Sequence, residues 1–65
     1  MRITVNGDVH DLPDPCPVEE LLVRLRLPGR GVALAVNGTM LPRSQWATSV
    51  EDGWTIEVLT AVQGG

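Results

Sequence analysis

The sequence predicts an α+β domain in which one helix lies across a small mixed sheet. Two observations predict it: apolar and polar residues alternate at both ends of the chain, and the apolar period switches to that of a helix only once, after Pro17. At 65 residues this is a single domain, near the lower limit for folding without disulfides or metal, so a large active-site cavity is not expected. The apolar fraction of 43% is ordinary for a globular protein, and no apolar run approaches the ~20 residues of a membrane span. With no Phe or Tyr, the core falls to Val, Leu, Ile and Ala, with Trp46 and Trp54 as the large pieces.

The opening stretch MRITVNGDVHDL places Ile3 and Val5 on one face and Arg2 and Thr4 on the other, with a tight reversal at Asn6-Gly7-Asp8. It reads as a β-hairpin whose second strand covers residues 9–12. Three prolines in LPDPCP make a connector, because no helix or strand interior tolerates them. From Pro17, Val18, Leu21, Leu22 and Leu25 fall on one helical face while Glu19, Glu20 and Arg24 point away. Pro17 suits the first turn, the two glutamates suit its positive end, and Leu27-Pro28-Gly29 ends the helix. GVALAVNG is too short for a helix and reads as a strand buried on both faces, turned by Asn37-Gly38. A short extended piece follows, then one helical turn opened by Pro42 and carrying Trp46, then the turn Glu51-Asp52-Gly53. The last strand, WTIEVLT, alternates Ile56 and Val58 against Glu57 and is expected to pair centrally beside the first. Residues 1–61 then form the domain and residues 62–65 a flexible tail, with no repeat or linker.

Little in the chain suggests catalysis. The net charge is −3, and the five cations are all Arg, scattered rather than gathered, which argues against a nucleic-acid surface. No membrane partner is indicated either. His10 is alone on an edge strand and is expected to face solvent. Cys16 lies between two prolines, where a helix start could lower a thiol pKa, although a small residue before a helix is the commoner explanation. A single cysteine makes no internal disulfide, and the amino-terminal stretch lacks a secretory apolar segment, so a reducing cytoplasm is the expected compartment. No Cys/His cluster has metal-ligand spacing, and Gly29-Arg30-Gly31 lacks the length and the lysine of a phosphate loop, so no bound metal or cofactor is expected. Trp46 is expected to cover the core, while Trp54 suits core or interface equally.

The chain finishes Gly64-Gly65, which chance gives about once in two hundred chains. Without a Cβ, two glycines thread extended through a channel that other residues would block, and the final carbonyl is open to attack. A free carboxylate, with a pKa around 3.5, is a poor electrophile until activated, for instance as an acyl adenylate. A sulfur donor then gives a thiocarboxylate, or an amine gives an amide. Alternation sends Leu59 away from Ile56 and Val58, so Leu59, Leu41 and Val62 are the candidate apolar docking set for a partner that receives the tail.

The stretches ALAVNG and LPRSQWA, the Asp52-Gly53 turn followed by TIEVL, and the final AVQGG together resemble the sulfur carrier proteins of thiamine biosynthesis, a β-grasp family of the ubiquitin-like superfamily. The resemblance covers nearly the whole chain. It implies a β-grasp fold, no catalytic activity of the chain's own, and a Gly65 that is adenylated by an E1-like adenylating enzyme using ATP. That terminus would become a thiocarboxylate (1-thioglycine), with sulfur from a donor such as a cysteine desulfurase, and be presented to thiazole synthase; Gly64 would permit its delivery. Two positions depart from the pattern: Trp54 stands where an acidic residue is usual, and Pro17 where a Ser or Thr helix cap is usual, at an expected cost of about 1 kcal/mol. Three alternatives share the tail: a carrier for molybdopterin, cysteine or tRNA thiolation, a ubiquitin-like modifier, and an interaction module with an inert tail. The absence of lysine weakens the modifier, which more often has lysines for chain building.

Overall fold

The computed structural model describes residues 1–60; residues 61–65, and with them the expected tail and the candidate positions Val62, Gly64 and Gly65, lie outside the described residues. Strands β1 (Arg2–Val5) and β2 (Asp8–Asp11), helix α1 (Val18–Arg24), strands β3 (Val32–Val36) and β4 (Thr39–Leu41), a 3₁₀ turn (Arg43–Gln45) and strand β5 (Thr55–Thr60) follow in chain order. The sheet order is β2-β1-β5-β3-β4. β5 is central and lies beside β1, as the sequence predicts; it runs parallel to β1 and antiparallel to β3.

Both hairpins turn on Asn-Gly. Asn6 and Gly7 have φ of 49° and 88°, and Asn37 and Gly38 have 50° and 86°. Positive φ at both central residues matches the strand twist, and Asn and Gly are the residues that adopt it most readily. The first reversal is therefore two residues long, and Asp8, expected within it, starts β2 instead. The expected extended piece after Asn37-Gly38 is a true strand, β4, pairing Val36 with Thr39, Ala35 with Met40 and Leu34 with Leu41.

Helix α1 buries Val18, Leu21 and Leu22 against Ile3, Val5, Leu34 and Ile56 from the sheet, and this aliphatic layer is the core. The helix stops earlier than Leu27-Pro28-Gly29. Arg26 takes a left-handed φ of 58°, its N–H donates to the Val23 carbonyl, and the Leu27 N–H donates to that of Leu22. That is a Schellman closure with arginine where glycine is usual, so the sequence carries no local stop signal there.

At its other end the missing side-chain cap is replaced by main chain. Pro17 is the N-cap residue with no side-chain bond, yet the N–H groups of Val18 and Glu19 donate to the carbonyls of Thr48 and Trp46 at 3.0 and 3.1 Å. Those two donors would otherwise be orphaned, so the expected capping cost of Pro17 is offset by the segment that follows the 3₁₀ turn. Trp46 is the C-cap of that turn rather than a member of it. It is buried as expected, its indole N–H donating to the Leu41 carbonyl at 3.3 Å and the Arg43 guanidinium 4.6 Å from its ring centroid. Trp54 is half-buried and packs against the core. Among the described residues no helix is long and apolar enough to cross a membrane.

Candidate functional site

The carboxyl end of β5 is where the structure leads to the expected site, and two surfaces flank it. Along β5, Ile56 and Val58 face the helix, while Thr55, Glu57 and Leu59 face away from it. β3 contributes Ala33 opposite Leu59 and Ala35 opposite Glu57 on that outer face. The small alanines leave Leu59 standing clear, 57% exposed.

The docking set is not brought together as expected. Leu41 pairs with Leu34, so it shares the helix side and packs against the core, on the opposite face from Leu59. Met40, one residue earlier, pairs with Ala35, lies on the outer face with Leu59 and is equally exposed at 57%. The signal was available in the sequence: a two-residue Asn37-Gly38 loop pairs Val36 with Thr39, which fixes the faces of the next two residues. Val9, opposite Thr4, adds a third exposed aliphatic to this side of the sheet.

On the helix side an open groove of about 270 Å³ lies between the first hairpin, the end of α1 and the end of β5, lined among others by His10, Leu25, Leu27 and Thr60. His10 pairs with Ile3, which puts its ring on this side and half-buried instead of facing solvent. Asn6, in the hairpin turn, reaches across to β5: its Oδ1 accepts from the Val58 N–H at 2.9 Å and its Nδ2 donates to the Val58 carbonyl at 3.4 Å. The sequence gives no local hint of this contact, which spans more than fifty residues.

Cys16 is fully buried, and its thiol is pushed above the ordinary 9.0 by burial first and by Glu20 second. The helix start does not activate it. Among the described residues no three His, Cys, Asp or Glu side chains are grouped to hold a metal.

Among the described residues the arrangement presents the end of a strand between an apolar outer face and an open groove. A family description fits that geometry: the model of the ThiS family matches residues 2–65, the Gly-Gly terminus included. The chain belongs to the ThiS family. It is 36% identical to the sulfur carrier protein ThiS of Escherichia coli (strain K12), with both chains covered in full. The crystal structure of the thiamine biosynthesis protein (ThiS) from Geobacter metallireducens superposes with a TM-score of 0.80 at 35% identity, again over the whole of both chains. A thiazole synthase of Paramagnetospirillum magneticum is 32% identical over the whole of this chain, which spans only 20% of that protein's length. The mixed sheet with one helix is accordingly the β-grasp fold of ThiS, and the chain is a small sulfur carrier of thiamine biosynthesis rather than a catalyst.

Proposed function

We propose that the Gly65 carboxylate is the sulfur-carrying group. The observation that carries this reading is a family match that runs through Gly64-Gly65, joined to a fold whose central strand, β5, is the last described element before that segment. An E1-like adenylating enzyme supplies the activation: a carboxylate oxygen attacks the α-phosphorus of ATP, pyrophosphate leaves, and an acyl adenylate forms. Sulfide then attacks the acyl carbon, a C–S bond forms, the C–O bond to AMP breaks, and the terminus becomes a thiocarboxylate. A cysteine desulfurase is the proposed source of that sulfur: it delivers a persulfide, which a second thiol reduces to sulfide, the two thiol sulfurs being left joined as a disulfide.

Thiazole synthase is the proposed acceptor, supported by the relative that is itself a thiazole synthase. The body docks through the outer face of the sheet, with Leu59 and Met40 as its apolar centre and Val62, outside the described residues, as a further proposed contact, while Gly64 lets the terminus thread into each enzyme. The single thiol suits a reducing cytoplasm as the place of action.

The test is the intact mass of the protein purified under reducing conditions from its own cells, with fragmentation to locate any change. The expected result is replacement of one oxygen by sulfur, confined to Gly65. An unmodified terminus after incubation with ATP, sulfide and cell extract, or an amide adduct in its place, would overturn the reading.

A further inference from the structure

β5 is held differently along its two edges. On one side β3 pairs with it from Ile56 to Thr60. On the other, β1 reaches only as far as Val5, opposite Ile56, so Glu57 to Thr60 run past the end of their parallel neighbour. Among the described residues no strand flanks them there. The gap is bridged by one side chain. After the Asn6 N–H has donated to the Ile56 carbonyl at 2.9 Å, the Asn6 amide turns back and meets both the N–H and the carbonyl of Val58. A carboxamide offers the same acceptor and donor as a peptide group, so it stands in for the next residue of β1 just where the chain must turn into the hairpin.

We propose that Asn6 is a positioning residue that sets the direction in which the carboxyl-terminal segment leaves the sheet. The inference rests on the proposed role of Gly65 as the delivered group. With Asn6 in place, the main chain at Val58, two residues before the last described one, is held on both edges, and Leu59 and Thr60 follow from a fixed point. Without it, Val58 to Thr60 are held only by β3 and sample several directions. The activating enzyme captures the fraction that points into its channel, and its apparent affinity for the carrier falls by that fraction.

The structure supplies its own control. Asn37 occupies the equivalent position in the other Asn-Gly turn, and its Oδ1 accepts from the Thr55 N–H at 3.0 Å, at the start of β5 and remote from the tail. Asn6→Gly and Asn37→Gly both keep a turn that accepts positive φ, and each loses one side-chain clamp on the same strand. General destabilisation acts on both alike.

ATP–pyrophosphate exchange is followed with purified adenylating enzyme and the full chain carrying each substitution. Asn6→Gly is expected to raise the KM for the carrier on the order of three- to tenfold with kcat unchanged, while Asn37→Gly stays near wild type. Asn6→Asp keeps the acceptor for the Val58 N–H but loses the donor, and falls between. In parallel, hydrogen exchange at the Val58 amide is expected to accelerate in Asn6→Gly more than exchange at Leu59, which faces β3. Equal KM values for the two glycine variants, or unchanged Val58 exchange, would overturn the proposal. Absence of any exchange with the wild-type chain would instead overturn the role of Gly65 on which it rests.

Discussion

Cys16 shows how one residue's chemistry is set by packing rather than by its neighbours in sequence. Between two prolines and before a helix it has the setting of an activated thiol, yet it is fully buried and the first N–H groups of the helix are taken by the Thr48 and Trp46 carbonyls. Burial and the nearby Glu20 both favour the protonated form. In the native protein, alkylation of Cys16 at neutral pH is therefore expected to be slower by at least about a hundredfold than in denaturant, since it waits on opening of a domain stable by several kcal/mol. The same shift has a pH signature. Above the ordinary thiol value of 9.0 the unfolded chain releases a proton that the folded chain still holds, so stability contributed by this group is intact below pH 9 and declines as pH rises beyond it. Denaturant midpoints compared at about pH 8 and about pH 10 are expected to fall in the wild type and to fall less in Cys16→Ala.

At the scale of elements, register decides function, because one residue's slip exchanges the two faces of a strand. β3 and β5 present small or polar residues outward apart from Leu59 near the end of β5, and Met40 of the neighbouring β4 joins it on that face. Leu59→Glu and Met40→Glu are expected to weaken the complex with the adenylating enzyme by about tenfold or more, as apolar anchors at the centre of an interface do, with little change in the denaturant midpoint. Leu41→Glu, on the helix side, is expected to do the reverse and cost stability directly. Titration calorimetry beside denaturant melts separates the two. Most of the elements were legible in the sequence, since alternation, one helical period and two Asn-Gly turns are local signals. The features it hid are all long-range or conformational. Arg26 adopts the left-handed state without glycine to mark it. The carbonyls that cap α1 and the amide that clamps Val58 come from far along the chain. Their partners are chosen by the fold, so no window of sequence contains them. The tail chemistry proposed for Gly64 and Gly65 needs no such partners: two glycines and a carboxylate act as themselves, without a fold to define them.

On the proposed role of Gly65, the whole molecule carries an activated acyl group on its own end without reacting with it, and its nucleophiles bear on that requirement. The chain has no lysine, its cations being Arg2, Arg24, Arg26, Arg30 and Arg43, and guanidinium stays protonated and unreactive. The lone thiol is buried, and the Met1 amino group donates to the Leu12 carbonyl at 2.7 Å. His10 is half-buried, and an acyl-imidazole formed there would hydrolyse rather than persist. On that proposal, an acyl adenylate at Gly65 meets no lysine and no exposed thiol on the described surface of the same molecule or of a second copy, and the described amine that remains, that of Met1, is half-buried and engaged with the Leu12 carbonyl. Arg24→Lys tests this with little disturbance, because Arg24 is exposed on α1 and its pairing with Glu20, at 3.8 Å, is a surface contact of small energetic weight. With the adenylating enzyme and ATP but no sulfide, the wild-type chain is expected to stay a single species on denaturing gels. The Arg24→Lys chain is expected to accumulate a covalent dimer, in which the lysine nitrogen has displaced AMP from the acyl carbon and given up its proton to solvent. Equal dimer formation by both chains would place the reactive amine elsewhere and remove the absence of lysine as the reason for the carrier's inertness.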